Sequence, residues 1–172
     1  MLLSRRARGW ACSNAAPKGR FNMSERERLK LRQAVPPSEV GLPWPGQGGV
    51  FAGAFDGSEG AYPLVLAETK PSDLMDWMSG RAWVAALTIG RHNDFRMPTR
   101  AESAALVERF PGLCLAPEYW LWTDDTAFDP SMGDHHVSAW RRYQGGHESP
   151  LGKTLCGTVI AVRRVRQRGT AR

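Results

Sequence analysis

The chain has 172 residues, 42% of them apolar and 23% charged, which is enough for one domain around one core and too little for two of ordinary size. Aromatic residues run through its whole length, which argues against wholesale disorder, and no window holds the ~20 apolar residues of a membrane-crossing helix. The 18 glycines and 12 prolines work against an all-helical fold, and without a G-x-y period they do not make a collagen-like rod.

The formal charge of +6 is unevenly spread. Residues 1–32 carry nine Lys/Arg against two Glu, residues 33–162 nine against fifteen acids, and residues 163–172 five arginines with no acid. An acidic body therefore lies between basic ends. A nucleic-acid footprint needs a basic stripe on a folded surface, so only the termini offer one, and nucleic-acid association through them is the lesser alternative.

Residues 1–35 read as a basic arm. Its beginning lacks the continuous apolar stretch of a signal peptide. Met23-Ser24-Glu25-Arg26 resembles a natural start, so residues 1–22 read as an over-extended start or a disordered arm. Ser24 as cap, Glu25 and Glu27 in the first turn, and Leu29-Lys30-Leu31-Arg32 after them predict a short helix over 24–35, ended by Pro36-Pro37. Residues 36–47 form a Pro/Gly linker. Trp44 within it is expected to fold back onto the body, because its large apolar area is costly to leave wet.

The body spans 48–166. Strands at 50–55 and 62–67 flank Asp56-Gly57-Ser58-Glu59-Gly60 and predict a β-hairpin, with Pro63 acceptable near a strand start or on an edge. Ser72 as N-cap, with Asp73 and Asp76 after it, predicts a helix over 73–88. Its apolar stripe is Leu74, Trp77, Met78, Ala82, Ala85 and Ile89, widened by Trp83, and Gly90 stands in the stop position. Thr99 and Glu102 make a capping box for a second helix over 100–109, with Pro98 stiffening the approach and Phe110-Pro111-Gly112 ending it. Strands follow at 118–123, 137–143 and 158–165, separated by polar loops at 124–136 and 144–153. A hairpin, two helices and a small antiparallel sheet give an α+β class. Trp120 and Trp140 are expected in the core, while Trp122 fits either core or surface. Lys153, Arg163 and Arg164 read as solvated or paired. Cys12, Cys114 and Cys156 are too few and too scattered for a disulfide scaffold, and Cys114 and Cys156 read as reduced core thiols.

Four segments carry a resemblance. They are Gly48-Gly49-Val50-Phe51-Ala52-Gly53 with Asp56-Gly57; Asp94-Phe95-Arg96-Met97-Pro98-Thr99-Arg100-Ala101-Glu102; Glu118-Tyr119-Trp120-Leu121-Trp122-Thr123-Asp124; and Ala139-Trp140 followed by Gly145-Gly146, Lys153 and Val162-Arg163-Arg164-Val165. In this order they resemble the C-terminal domain family of a bacterial collagen-like adhesin, a branch of the C-type-lectin-like superfamily. Phe95 stands for a tryptophan of that pattern, Met97 for a leucine, and Leu121-Trp122 for two serines. The resemblance implies a C-type-lectin-like domain over 48–166, with the hairpin meeting the terminal strand and binding carried on long loops; residues 167–172 after it read as a disordered basic tail. It also implies a phage, prophage or bacterial-surface setting. The expected location is the cytoplasm or a virion, since a particle component assembles in the cytoplasm and needs no signal peptide.

The function expected is a non-catalytic binding or structural accessory protein that recognises a protein, a glycan or virion structural proteins, with no membrane partner and oligomerisation left open. Asp124, Asp125, Asp129, Asp134, His135, His136, Tyr143 and His147 on the two loops are the candidate contacts. The acids among them offer oxygens that suit Ca²⁺. The spacing is not that of an EF-hand, however, and adjacent histidines on extended backbone point opposite ways, so no metal or cofactor is assigned and Ca²⁺ stays the alternative. Formylglycine-generating oxidases share the superfamily and supply an enzymatic alternative. That chemistry needs a thiol pair or a histidine–carboxylate cluster, and nucleophilic hydrolysis needs a serine or cysteine with a base, so no catalytic residue is assigned.

Overall fold

The computed structural model describes residues 24–58, 60–114, 119–127 and 138–166. Ser24 begins the first helix by a reciprocal cap. Its Oγ accepts from the Glu27 amide at 3.3 Å, while Glu27 Oε2 accepts from the Ser24 amide at 2.9 Å, and α1 runs over Glu25–Ala34 as the capping residues predict.

Trp44 returns to the body. It lies in β1 (Pro43–Trp44), which pairs antiparallel with β2 (Gly49–Gly57), and its ring is 2% exposed with its edge against Phe51. β2 turns into β3 (Gly60–Ala67) to make the expected hairpin. Its register slips between Phe51 and Gly53, a bulge that places Gly53 at φ 107°, a backbone conformation natural only to glycine. Pro63 lies one residue past the last pair that β3 makes with β7 (Val162–Arg164), so its missing amide leaves no ladder bond unmade there. Its carbonyl still accepts from Val165 at 3.0 Å. The first sheet has the order β1-β2-β3-β7, and the hairpin meets the terminal strand as expected.

The helix expected at 73–88 is α2, over Trp77–Ala86, four residues late. Ser72 does not cap it, because its hydroxyl bonds the Asp73 carboxylate instead. Met75 is held extended by two backbone bonds with Gly157, at 2.9 and 2.8 Å, so the helix can begin only after it. Asp76 caps, accepting from the Ser79 amide at 2.9 Å and the Ser79 hydroxyl at 2.6 Å. The buried stripe is accordingly Trp77, Gly80 and Val84, while Met78, Ala82 and Ala85 face outward. Gly90 does not stop the helix but occupies a turn in which Ile89 and His92 exchange backbone bonds. Asp76→Ala should therefore lose about 1 kcal/mol of stability in urea melts, and Ser72→Ala should stay within about 0.5 kcal/mol of the parent. Equal losses would return the cap to Ser72.

α3 spans Arg100–Arg109 with both halves of the Thr99/Glu102 capping box formed. A second antiparallel sheet follows, β4 (Trp120–Ala127), β5 (Ser138–Tyr143) and β6 (Glu148–Gly152), in that order. Two expectations change here. Asp124 and Asp125 belong to β4 rather than to a loop, because the strand continues to Ala127 opposite β5. Residues 144–153 are not one loop either. Tyr143 and His147 close a tight turn with a 2.8 Å bond, and β6 follows, its Pro150 tolerable because β6 is an edge.

The predicted strand over 158–165 is regular only at β7. Before it, residues 157–161 cross between the sheets. Thr158 bonds the backbone of Trp120 and Trp122 alongside β4, and Ala161 accepts from Ala67 of β3. Alternate side chains of this crossing feed two cores. Ile160 and Val162 join Ala52, Leu64, Leu106 and Leu121, while Val159 and Ala161 join Trp77, Phe95, Met97 and Trp122. The fold is thus mixed α+β with two small antiparallel sheets. Trp122 is the fully buried indole of β4, whereas Trp120 and Trp140 are half-buried, contrary to the core placement expected of them. Trp122 lies beneath the segment leading into α2 and donates to the Met75 carbonyl at 3.1 Å. Trp140 instead lies beneath a guanidinium.

Candidate functional site

The densest polar cluster surrounds Glu102, whose side chain is sealed from solvent. The capping box supplies one partner, the Thr99 amide at 2.8 Å. Arg96 adds a two-pronged ion pair, Tyr62 donates its hydroxyl at 2.7 Å, and Arg164 Nε lies 3.6 Å away. Burial alone would push this carboxyl up. The Arg96 bonds and charge, the Thr99 amide and the Tyr62 hydroxyl outweigh it and hold the pKa at about 2. With Pro98 buried beside it, this group joins the hairpin, α3 and β7, and every oxygen of the carboxylate is occupied by the fold itself.

On the α3 side of the second sheet, the Arg100 guanidinium lies 3.6 Å over the Trp140 ring, and Arg100 and Arg142 both clasp Glu148. The hydrogen bond from Arg100, joined by the charge of Arg142, holds the Glu148 carboxyl below its usual range. Arg142 also donates to Ser103 Oγ at 3.0 Å. Asp125 accepts from the Arg100 amide at 2.6 Å, at the first turn of α3. Asp124 pairs with Arg81 of α2 at 3.1 Å and donates its amide to the Pro98 carbonyl. These two acids therefore brace helices against the sheet. Asp129, Asp134, His135 and His136 lie outside the described residues, and among the described residues no group of three metal-ligating side chains is assembled.

The opposite face of the same sheet carries a different cluster. Residues 139, 141 and 143 share that face of β5, and the register sets Arg141 opposite Trp122 and Tyr143 opposite Trp120. The Arg141 guanidinium lies 4.7 Å over the Trp120 ring and 4.9 Å over Tyr143. Trp120 and Tyr143 meet edge to face at 69°, and Tyr143 stacks on His147 across the tight turn with centroids 6.0 Å apart. Gln144 fastens the turn to α3, donating to the Val107 carbonyl at 2.6 Å. Gly157 backs the indole of Trp120 so closely that any side chain there would collide with it.

Of the candidate contacts, the structure thus brings Tyr143 and His147 together and leaves Asp124 and Asp125 elsewhere, in helix-bracing roles. Arg141 and Trp120 were not among them. The signal was present in the alternation Ala139, Arg141, Tyr143, which needed the β4 register before the partner aromatics could be placed beside it. Cys114 is buried and Cys156 exposed, both as free thiols, so the core reading holds for Cys114 alone. Burial pushes the Cys114 thiol up, away from the reactive thiolate. Lys153 and Arg81 lie against the Trp77 ring, Lys153 at 4.3 Å, and Arg163 is buried beside Gln47 with Asp94 at 3.5 Å. An open groove of about 440 Å³ runs along α2 over Phe95 and Met97, rimmed by Met78, Arg81 and Asp124. No family model matches the chain and no curated protein matches it, so the arrangement of side chains is the ground on which its function is read.

Proposed function

We propose that this chain is a non-catalytic binding protein of C-type-lectin-like fold, and that it recognises a protein or glycan partner through the Trp120, Arg141, Tyr143 and His147 face of its second sheet. The observation that carries the reading is that face itself. Three rings and a guanidinium gather on a sheet braced from behind by Arg100, Glu148 and Arg142. Aromatic side chains and arginine are the residues that dominate binding surfaces, because they offer large contact area and directional donors at low entropic cost. The order of the sequence motifs supports the lectin-like fold, and the meeting of hairpin and last strand agrees with it. A phage or prophage setting is part of the same reading and rests on the sequence resemblance; stoichiometric copies in purified particles would establish it.

The test uses the labelled full chain on arrays of bacterial-surface glycans and proteins. Replacing Tyr143 and His147 together by alanine should remove at least about 2 kcal/mol from any specific interaction, as truncation of central aromatic contacts does, with an unchanged melting temperature. Glu68→Gln, exposed and on the first sheet's side of the body, should leave that interaction intact. Equal binding by the parent and the double variant would remove this face from the function.

A further inference from the structure

Arg141 is positioned by its neighbours and has no acidic partner among the described residues. Its Nε donates to Ser149 Oγ at 3.0 Å, across the β5–β6 pair, and its Cζ lies 4.7 Å from the Trp120 ring centroid and 4.9 Å from that of Tyr143. The acids of the described sheet are engaged elsewhere. Glu148 is clasped by Arg100 and Arg142, Asp124 pairs with Arg81, and Asp125 accepts from the Arg100 amide. The two terminal nitrogens of Arg141 have no hydrogen-bond partner among the described residues. They form a planar fork of the shape that meets a carboxylate through two parallel bonds.

The rings around this fork limit what can bring the carboxylate. Trp120 and Tyr143 stand at 69° to each other, so they form a corner rather than the parallel slots in which successive bases stack. His147, in the exposed turn, stacks on Tyr143 at 26° with centroids 6.0 Å apart and closes the corner on that side. A corner of this kind fits one saturated ring, with its C–H face on an aromatic wall and its substituents toward polar groups. A single guanidinium matches a single anionic group.

We infer that the corner formed by Trp120, Tyr143 and His147, with the Arg141 fork at its base, takes a saccharide bearing a carboxylate, a sugar acid of the uronic or sialic class. This rests on the binding reading above and names the ligand class for the same face. Recognition needs no metal, because the guanidinium supplies the charge and the rings supply the stacking surface.

The experiment titrates the full chain with glucuronate and N-acetylneuraminate, each against its methyl ester, by calorimetry and ligand-observed NMR, with N-acetylaspartate as a carboxylate without a sugar ring and glucose 6-phosphate as a phosphate on one. The sugar acids should bind about tenfold more tightly than their esters, the size of one charge-assisted interaction. R141Q should erase that difference, R141K should keep part of it, and Y143A should weaken acid and ester alike; melting temperatures verify that each variant is folded. Equal affinity for acid and ester, discrimination that survives R141Q, or no saccharide binding overturns the proposal. Tighter binding of N-acetylaspartate replaces the sugar acid by an acidic peptide, and tighter binding of glucose 6-phosphate replaces it by a phosphate ligand; either result also overturns it. If the saccharides fail while array binding still depends on Tyr143 and His147, the ligand class is wrong and the binding face stands. If both fail, both are wrong.

Discussion

Glu102→Ala is expected to cost about 3–5 kcal/mol, the loss typical of breaking a buried ion pair from one side. The cost is high because the carboxylate serves four neighbours at once. Its removal strands the half-buried Arg96, frees the Tyr62 hydroxyl, opens the α3 cap and takes away the counter-charge of Arg164. The same group makes stability depend on acid. Its folded pKa of about 2 lies below its ordinary 4.5, so the folded state favours the ionised form, and the contribution is complete above about pH 4.5 and lost as pH falls toward 2. A displacement of that size corresponds to roughly 3 kcal/mol. Urea midpoints measured between pH 6 and pH 2 should fall steeply in the parent and less steeply in Glu102→Gln, which has no charge to lose. Parallel slopes would show that Glu102 is not the titrating group.

Trp122→Ala should cost a further class of interaction, about 3–5 kcal/mol, through the cavity left by an indole that has no exposed surface. The deletion also removes the 3.1 Å bond from the indole nitrogen to the Met75 carbonyl, which keeps its 2.8 Å bond from the Gly157 amide at the bridge that delays the start of α2. Trp140→Ala should lose only about half as much, since the half-buried ring gives up its stacking with Arg100 and a fraction of its burial. Denaturant curves of the two variants decide the matter. A larger loss at Trp140 would restore the core assignment that the sequence suggested for it.

What the sequence disclosed and what it withheld divide along a physical line. Features whose partners lie within one turn were legible. Thr99 with Glu102 and Ser24 with Glu27 are three residues apart, and both helices begin where those pairs place them. The hairpin was legible through its turn residues and alternating flanks. The start of α2 was not, because its competing cap at Ser72 is defeated by Gly157, far along the chain. Nor was β6, in which Pro150 and Gly152 imitate a loop and the pairing with β5 supplies the order. The tryptophans show the same limit. Strand parity groups Trp120 with Trp122, yet only the segment leading into α2 decides which of the two is sealed. For the candidate site, Tyr143 and His147 were found among the candidate contacts, while Arg141 needed the cross-strand register to set it against Trp120.

The crossing at 157–161 has a consequence for how the protein comes into being. That stretch shares backbone bonds with both sheets, through Trp120 and Trp122 of β4 and Ala67 of β3, and it leads directly into the strand that completes the first sheet beside β3. During synthesis, the hairpin and all three helices emerge from the ribosome well before it does. Until residue 164 is clear, the apolar faces of Leu64 and Leu121 lack Ile160 and Val162, and those of Trp77 and Trp122 lack Val159 and Ala161. The nascent chain must therefore wait with two unfinished cores, and such exposed apolar surface is what chaperones bind and what aggregates.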